Sequence, residues 1–552
     1  MSQAAGAAMV TVTLPDGSSR EVARGTRVVD LASAIGPGLG KATLGAKLNG
    51  EAEIIDLRTP LEDDCRIEIV TKGSLDGLAV LRHSASHVMA EAILRVWPEA
   101  KLSIGPSTDQ GFYYDIDLEH RVSEDDLARI EDEMKAIVKA DSPFERCTIE
   151  REASLKRFRE AGEIYKVELI EGFEPEAELS VYQHGNGSFE DLCRGPHVPS
   201  TGWIKAFKLL KVAGAYWRGD ENRQVLQRIY GTAFFDKKEL AQYLERIEEA
   251  KRRDHRKLGK ELGLFMFHPW APASPFFLAP GAKIYNLLVD YMREKYRHFG
   301  YQEVITPQIF DVELWKRSGH WDKYKDNMYF TQIEKSECGV KPMNCPSHTL
   351  IFGSTLHSYR DLPVRMADFG RLHRYERSGV TGGLTRVRTF CQDDAHIFCR
   401  EDQIQSEISG VIRLLRQVYD DFRFTDLKIY LSTRPEKSVG SDEVWEKAEE
   451  GLAKALQENK LDYTVNPGDG AFYGPKIDFV VLDALEREWQ LGTVQLDFIM
   501  PERFELEYDD AQGGRSQPVM IHRAIMGSIE RFLGILIEHF AGVFPVWLAP
   551  VQ

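Results

Sequence analysis

The sequence predicts an α+β protein of several domains, with a large antiparallel sheet in its carboxy-terminal half. The chain has 552 residues, which exceeds the usual size of one domain. Its apolar fraction of 43% and charged fraction of 28% are typical of globular proteins. Beyond residue 264, strand-like and helix-like runs do not alternate one for one, and this favours an antiparallel over a doubly wound parallel sheet.

The first 72 residues predict a small ubiquitin-like β-grasp module. Residues 9–14 alternate as a strand, and Pro15–Gly17 follows as a turn. A helix-like stretch then lies near Val28–Ala34, and short strands continue to about Val70. This order of two strands, a helix and further strands is that of a ubiquitin-like fold.

Residues 73–235 form a second predicted unit. Leu81–Val96 is apolar at helical spacing and Glu124–Ala140 is an acid-rich amphipathic helix. The next segment, residues 236–263, is rich in charged, helix-favouring residues and is predicted to be one exposed linker helix. Its basic run at residues 251–257 is either a solvated face or an RNA contact.

Residues 264–552 form the largest predicted unit. Its sequence contains neither a P-loop nor a dinucleotide-binding fingerprint after a strand. We therefore expect arginines to hold any bound ATP. The predicted helices and strands of this unit are Lys283–Phe299, Gln403–Phe422, Leu427–Leu431, Ile477–Leu482 and Thr493–Met500.

Composition also limits location and partners. No apolar stretch approaches the roughly 20 residues of a membrane span, and residues 1–10 lack the layout of a signal peptide. Seven cysteines, an odd number without paired spacing, predict reduced thiols or metal ligands. We expect a cytoplasmic protein without membrane association. The net charge of −16 argues against indiscriminate nucleic-acid binding, although a local basic groove stays possible.

Cys345, His396 and His522 are candidate metal ligands. Three nitrogen or sulfur ligands with one open position are typical of a catalytic or substrate-binding zinc, whereas a structural zinc closes all four positions. The alternative is a buried cysteine and two hydrogen-bonded histidines, which are far apart in sequence.

An arginine-rich segment lies between these candidate ligands. Arg374, Arg386 and Arg388 accompany Glu376 and several glycines, a composition suited to a loop that closes on phosphates. The same arginines can equally be partners in surface salt bridges. A metal site beside a nucleotide site predicts an ATP-using enzyme that recognises a small ligand by coordination.

A second cluster is expected in the unit 73–235. His83 and His87 lie at i and i+4 on one face of a predicted helix, and Cys193 and His197 are likewise four residues apart. Two such pairs either bind zinc or form a hydrolytic pocket, while one pair alone is often a structural accident. The residue types do not decide between these chemistries.

Together these features resemble the threonyl-tRNA synthetases, a family of class II aminoacyl-tRNA synthetases, over the whole chain. The matching segments are Ser318-Gly-His320-Trp321, Lys341-Pro-Met-Asn-Cys-Pro346, His373-Arg374-Tyr-Glu376, Gln392-Asp-Asp-Ala-His-Ile-Phe398, Gly470-Ala-Phe-Tyr473-Gly-Pro-Lys476 and Gly527-Ser528-Ile-Glu-Arg531-Phe. The resemblance implies a ubiquitin-like module at 1–72, an α/β editing domain at 73–235, the linker at 236–263 and a class II catalytic core at 264–552. It places motif 1, which builds a homodimer interface in this class, around Pro307.

The resemblance also implies the amino-acid site. Cys345, His396 and His522 would hold one Zn²⁺ whose free position takes the amino and hydroxyl groups of threonine. Asp394, Tyr473 and Met343 would complete the threonine site. Valine lacks the hydroxyl and would be rejected strongly, whereas serine differs by one methyl, worth about 1–3 kcal/mol. That margin is too small for accurate translation, so a second, hydrolytic site is expected.

The remaining roles are assigned by the same resemblance. ATP, accompanied by Mg²⁺, would be held by Arg374 on the α-phosphate, Glu376 on the adenine amino group, Arg386 on the γ-phosphate, and Phe390 and Arg531 on the two faces of adenine. Gln392 and Lys476 would orient the threonine carboxylate and the reacting phosphate, and His320 would receive the terminal ribose proton. The editing site for seryl-tRNA would comprise His83, His87, Lys166, Asp191, Cys193 and His197, in a metal-free form.

We therefore predict a homodimeric threonine-tRNA ligase that activates threonine with ATP, charges tRNA(Thr) and hydrolyses seryl-tRNA(Thr). The alternatives are a non-catalytic paralogue that binds RNA and a stand-alone hydrolase of mischarged tRNA. The family continues as an anticodon-binding domain where this chain reaches residue 552, so we expect that domain to be absent. The resemblance also places motif 2 of this class around Arg374–Glu376, and the sequence departs from the family pattern nearby, at Val380–Leu384.

Overall fold

The computed structural model describes residues 8–185, 187–220 and 222–551. It divides into two compact units, Met1–Glu245 and Arg246–Gln552. Among the described residues, no helix combines the length and the apolar character that a bilayer span requires.

The amino-terminal unit begins with a five-stranded sheet that closes over a small apolar core. Its strands lie in the order Ser19–Ala23, Met9–Thr13, Cys65–Thr71, Thr43–Leu48 and Ile55–Asp56, with helices Val28–Ile35 and Pro37–Ala42 and a separate pair Thr26–Arg27 and Pro60–Leu61. Val10 and Val12 alternate into the core and meet Val28 and Leu31 from the first helix. The parallel pairing of Met9–Thr13 with Cys65–Thr71 is that of a β-grasp, as predicted.

The rest of this unit is built around a 22-residue helix, Leu75–Val96. Ser74 begins it as an N-cap whose side chain accepts from the Gly77 backbone N–H, which satisfies one of the free amides of the first turn. One sheet has the order Ala206–Tyr216, Val225–Phe234, Gly111–Asp117 and Lys101–Leu102, with Ser107–Thr108 paired to Gly111–Asp117, and another has the order Glu145–Ile149, Leu179–His184 and Phe189–Leu192. The other helices are Glu124–Ala140, Arg151–Glu160 and Ile164–Glu171, with short 3₁₀ turns at Thr201–Trp203 and Trp217–Gly219.

The linker differs from the single exposed helix expected from its composition. It consists of two helices, Lys237–Arg253 and His255–Glu261. Asp254 breaks the run because its carboxylate caps the second helix, accepting from the backbone N–H of Arg256. All residues of the first helix are described and none is buried, but His255 in the second helix is only 4% exposed. The prediction of one solvated helix is therefore wrong for its last turns.

The carboxy-terminal unit is organised by an eight-stranded sheet, which we call the central sheet. Its order is Gln302–Glu303, Val364–Asp368, Asp394–Cys399, Val519–Ala524, Glu488–Asp497, Lys476–Leu482, Leu427–Ser432 and Thr464–Asn466. Only the two outermost pairings are parallel, so the predicted antiparallel sheet is confirmed. One predicted strand, Thr493–Met500, instead begins at Glu488 and ends at Asp497, where a short helix, Ile499–Arg503, starts.

Helices cover the central sheet and bury their apolar faces against it. The long ones are Ala279–Phe299, Ile404–Asp421, Asp442–Glu458 and Ile529–His539, and the short ones are Val312–Ser318, His320–Tyr324 and Cys345–Gly353, with 3₁₀ turns at Lys325–Asn327, Ser378–Val380 and Glu401–Gln403. Small sheets comprise Phe265–His268 with Ala271–Phe277; Ile309–Asp311, Ser336–Val340 and Tyr329–Ile333; His357–Ser358, Tyr508–Asp509 and Arg515–Ser516; and Arg371–His373 with Thr389–Cys391.

Candidate functional site

Strand register in the central sheet brings the two carboxy-terminal candidate ligands together. His396 and His522 are direct antiparallel partners, and Gln495 is the partner of His522 on the next strand. Asp394 lies two residues before His396 on the same strand and thus shares its face. A separation of 126 residues in sequence becomes a ring-centroid distance of 4.7 Å.

Cys345 completes the cluster from the first turn of helix Cys345–Gly353. One donor atom from each of Cys345, His396 and His522 lies within 4.8 Å of the others, and all three residues are buried. The sequence prediction that these residues form one site agrees with this placement.

Two residues that the sequence analysis missed fix the imidazoles. Asp497 accepts a hydrogen bond from Nε2 of His522 at 2.9 Å, which leaves Nδ1 of His522 for a ligand. Nδ1 of His348 lies 2.7 Å from Nδ1 of His396, which leaves Nε2 of His396. Metal-binding histidines usually have their second nitrogen bonded in this way.

The donor set suits zinc. Burial lowers the pKa of His396 well below its usual value, so its imidazole is neutral, as a metal ligand must be. Burial raises the pKa of the Cys345 thiol well above its usual range, and a bound cation reverses this by stabilising the thiolate. Thiolate and imidazole are both ligands that zinc takes, and three protein ligands leave the fourth position of a tetrahedral zinc open.

A cavity of about 520 Å³ opens beside this cluster. It is lined by predicted nucleotide, amino-acid and metal residues together, namely Met343, Cys345, Arg374, Glu376, Arg386, Phe390, Gln392, Asp394, His396, Tyr473, His522 and Arg531. Tyr473 donates from its hydroxyl to Gln495 at 2.7 Å, and Asn344 donates to Asp394 at 3.0 Å. Burial raises the pKa of Asp394, so this carboxyl favours a cationic partner such as an ammonium group.

The arginine loop, residues 374–388, supplies another part of the cavity lining. Arg386 donates from Nε to Glu376 at 3.0 Å, and Arg531 donates from Nε to the Thr385 carbonyl at 2.9 Å. The Arg374 guanidinium lies 5.0 Å from the Phe390 ring centroid. These contacts join the loop to helix Ile529–His539 through Arg531.

Two predicted catalytic residues lie outside the lining of this cavity. His320 is fully buried, with its ring nitrogens 2.8 Å from Ser318 Oγ and 3.1 Å from Met343 Sδ. Lys476 is paired with Asp469 at 3.1 Å and Asp478 at 2.9 Å. A base that receives a ribose proton must reach the substrate, so the role of His320 stays a sequence prediction.

The second predicted cluster also assembles. Helix Leu75–Val96 supplies His83 and His87, and the segment after strand Phe189–Leu192 supplies Cys193 and His197. The Cys193 Sγ lies 3.4 Å from Nε2 of both His83 and His197. Nδ1 of His87 lies 3.7 Å from an oxygen of Asp191.

Tyr114, which the sequence analysis missed, joins the charged part of this cluster. Its hydroxyl donates to Asp191 and lies 3.1 Å from Nζ of Lys166, which is itself ion-paired with Asp191. Burial alone would raise the pKa of Asp191, but Lys166, His87 and Tyr114 outweigh it and the pKa lies below its usual value. The carboxylate is therefore charged although it is 3% exposed.

The histidines and the thiol of this cluster are neutral. Burial lowers the pKa of His83 to about 4 and that of His87 to about 3, and it raises the pKa of Cys193 to about 12. The Lys166–Asp191 ion pair lies beside neutral imidazoles and makes this cluster polar. Groups of these kinds can orient and polarise a water molecule without a metal.

Comparisons with known proteins agree with this architecture. Residues 329–540 match the tRNA synthetase class II core domain (G, H, P, S and T), residues 10–71 the TGS domain, and residues 179–230 the threonyl and alanyl tRNA synthetase second additional domain. The chain is thus a class II aminoacyl-tRNA synthetase with an additional domain that is shared by two specificities.

Whole-chain relatives define the family more narrowly. The threonine–tRNA ligase of Bdellovibrio bacteriovorus is 54% identical over 98% of this chain and 83% of the relative, and that of Acetivibrio thermocellus is 53% identical over 99% and 85%. A solved structure described as the RNA binding domain of threonyl-tRNA synthetase from Cryptosporidium parvum Iowa II matches with a TM-score of 0.53 and 50% identity, covering 54% of this chain and 75% of that one. The chain belongs to the threonine–tRNA ligase family.

The predicted family, fold class and enzyme class are confirmed by these matches. The chain is a threonine–tRNA ligase with an editing domain, and its substrates are ATP, threonine and tRNA. The exact domain boundaries and the roles of single residues stay predictions.

Proposed function

We propose that Cys345, His396 and His522 belong to the synthetic site of this ligase and that His83, His87, Cys193 and His197 belong to its editing site. The observation that supports this most strongly is the register pairing of His396 with His522 beside Cys345. This places one candidate metal centre in the wall of the cavity that Arg374, Arg386 and Arg531 also line.

Threonine would bind beside the metal cluster. A zinc ion held by Cys345, His396 and His522 would supply an open coordination position for the amino and hydroxyl groups of threonine. Asp394 would face the ammonium group, since desolvation raises the pKa of its carboxyl and a cationic ligand would stabilise the carboxylate. Tyr473 would close the site, held by its hydrogen bond to Gln495.

ATP would occupy the arginine-lined half of the cavity. Adenine would stack between the Phe390 ring and the Arg531 guanidinium, with its amino group at Glu376. Arg386 would leave its ion pair with Glu376 for the γ-phosphate, because the more highly charged phosphate offers a stronger bidentate partner than the single Glu376 carboxylate. Arg374 would neutralise the α-phosphate as the threonine carboxylate, oriented by Gln392, attacks the α-phosphorus in line and the bond to the β-phosphate breaks, which releases pyrophosphate.

The second cluster would hydrolyse seryl-tRNA. The neutral imidazoles of His83 and His87 would position the attacking water, and the Lys166–Asp191 pair would orient the seryl group. His197, which contacts Ser84 Oγ at 3.1 Å, would fix the ring arrangement. The donor atoms of this cluster are close enough to one another to hold a metal. The proposed form is metal-free because a lysine side chain, Lys166, lies beside the site and disfavours a bound cation.

The proposal includes a homodimer in the cytoplasm. Large apolar side chains are exposed on the hairpin Phe265–Phe277 and next to Pro307: Trp270 is 93% and Ile305 is 90% exposed. The hairpin also exposes Met266, Phe267 and Phe276, and clustered exposed apolar side chains of this kind mark interaction surfaces. A cytoplasmic location fits the free cysteines of the described chain. Sedimentation of Trp270→Glu tests the dimer: a monomer is expected, and an unchanged dimer would contradict it.

Threonine-dependent exchange of pyrophosphate into ATP tests the synthetic site. The zinc-loaded protein should support exchange with threonine, weakly with serine and not with valine. Exchange that depends equally on valine would contradict recognition of the hydroxyl. Hydrolysis of seryl-tRNA(Thr), measured separately, tests the editing site.

A further inference from the structure

His255 lies at the start of the second linker helix, outside every motif that identified the family. It is 4% exposed, and it is bonded on both ring nitrogens. Nδ1 lies 2.6 Å from Oε1 of Glu538, and Nε2 lies 2.9 Å from the backbone nitrogen of Leu384. The Leu384 N–H can only donate, so Nε2 is the acceptor and Nδ1 carries the proton that is donated to Glu538.

The partner of Nε2 belongs to the arginine loop. Leu384 is fully buried and stands two residues before Arg386. Between Gly382 and Arg386 the backbone closes a tight turn, in which Gly382 N–H donates to the Arg386 carbonyl at 3.1 Å. Fixing the Leu384 amide therefore fixes the turn from which the Arg386 side chain projects.

The fit between His255 and this turn is close. Gly383 has a φ of +52°, and a Cβ placed on it would lie 2.1 Å from Nε2 of His255. A Cβ on Gly534 of helix Ile529–His539 would lie 3.2 Å from Cβ of Leu384 and 3.6 Å from Cδ2 of His255. The turn and the imidazole thus pack against each other and both pack against the helix that also supplies Arg531.

Glu538 holds the imidazole in this tautomer. The same Oε1 accepts from the His255 backbone N–H at 3.0 Å, and the other oxygen is ion-paired with Arg487. Helix Ile529–His539 therefore holds the arginine loop from both ends of the helix. Near its start, Arg531 donates to the Thr385 carbonyl directly, and near its end, Glu538 acts through His255.

We propose that His255 is a positioning residue for ATP: its Nε2 accepts the Leu384 amide and so holds Arg386 where it meets the triphosphate. This inference rests on the proposed role of Arg386. Asp254, His255 and Glu538 are also close enough for a metal, but Nε2 is used as an acceptor, Nδ1 as a donor, and Asp254 as the cap of its helix. The contacts favour positioning over coordination.

The test compares His255→Leu, which removes both ring contacts, with His255→Gln, whose side-chain oxygen can still accept the Leu384 N–H. Lys257→Ala, an exposed change on the same helix, is the control. In threonine-dependent exchange, His255→Leu should raise the KM for ATP by about fivefold or more, since a buried amide loses its partner. The KM for threonine should stay within about twofold, and His255→Gln should recover most of the loss.

A double-mutant cycle with Arg386→Ala separates this proposal from the assignment of Arg386. If His255 acts through Arg386, His255→Leu should change the KM for ATP much less in the Arg386→Ala background. A purely structural role of His255 predicts that the two substitutions have additive effects on the KM for ATP. It also predicts equal changes in the KM for ATP and the KM for threonine, and either result would overturn the proposal. If Arg386→Ala alone leaves the KM for ATP unchanged, the role of Arg386 fails instead.

Folding of the variants is checked by thermal unfolding. Should His255→Leu not fold, Gly383→Ala replaces it, because the added methyl displaces the turn from His255. Gly383→Ala should raise the KM for ATP selectively, and a KM within about twofold of the parent would refute the proposal.

Discussion

Asp497→Asn should lower the zinc affinity of the metal site, although it only replaces one carboxylate oxygen by an NH₂ group. Oδ1 of Asp497 accepts from the backbone N–H groups of Ile499 and Met500, at 2.7 and 2.9 Å, and Oδ2 lies 2.9 Å from Nε2 of His522. In the asparagine variant, the two backbone donors require the amide oxygen at the Oδ1 position. The amide NH₂ is then directed at His522.

That NH₂ group cannot accept the Nε2 proton. His522 must either lose the hydrogen bond or shift its proton to Nδ1, which is the nitrogen left for the metal. Loss of such an outer partner typically costs 10- to 100-fold in metal affinity, equivalent to about 1.4–2.8 kcal/mol. The cap on helix Ile499–Arg503 survives, so the thermal stability of the metal-free protein should change little.

Chelator competition measures the zinc affinity of both proteins, and threonine-dependent exchange is measured with zinc in excess. Asp510→Asn, an exposed turn aspartate that accepts backbone N–H groups, is the matched control. We expect Asp497→Asn to release zinc at a 10- to 100-fold lower chelator excess. Zinc affinity equal to that of the parent, in folded protein, would refute the tautomer argument.

Four further predictions concern the independence of the two sites and the editing cluster. Cys345→Ala should lose zinc and threonine-dependent exchange but retain hydrolysis of seryl-tRNA(Thr). His83→Ala should lose that hydrolysis but retain zinc and exchange. Loss of both activities from one substitution in folded protein would contradict the two-site assignment. Tyr114→Phe should cost about 1–3 kcal/mol of unfolding free energy and slow seryl-tRNA hydrolysis, because Asp191 loses a buried donor; unchanged stability in denaturant titrations would argue against that contact. His87 has a pKa near 3 in the folded protein and about 6.5 when unfolded, so the unfolded chain binds the additional proton as pH falls below about 6.5 and stability is lost. His87→Gln should therefore flatten the pH dependence of the editing-domain melting transition between about pH 6.5 and 4, and an unaltered slope would contradict a neutral buried imidazole.

The regular elements were predictable because their patterns are local. The helix at Glu124–Ala140 was predicted with its observed bounds, since its apolar residues recur at helical spacing between an N-cap serine and a left-handed aspartate. The antiparallel sheet followed from strands and helices that do not alternate one for one along the chain. The predicted strand Thr493–Met500 was extended too far because the chain turns at Asp497, whose carboxylate accepts from the next backbone N–H groups. A side-chain hydrogen bond of this kind does not show in the spacing of apolar residues.

The linker shows where composition misleads. Residues 236–263 contain many charged residues, and this predicts solvent exposure, yet His255 is buried against Glu538 and Leu384. Those partners lie 283 and 129 residues away in sequence. Burial that depends on such distant partners leaves no periodic signal within the segment itself.

Site residues that belong to distinctive motifs were predictable, whereas their supports were not. Cys345, His396 and His522 stood out by residue type and by resemblance, and the strand register brings them together. Asp497, His348 and Tyr114 support the sites through single hydrogen bonds across the fold. An aspartate at a strand end or a tyrosine in a sheet is too common in sequence to predict such a role.

X-ray absorption at the zinc edge, recorded with and without threonine, tests the central claim most directly. We expect one sulfur and two imidazole nitrogens in both states, with threonine adding its amino nitrogen and hydroxyl oxygen as further light-atom ligands. A protein without zinc, or a zinc shell that threonine leaves unchanged, would contradict recognition of the substrate hydroxyl at this centre.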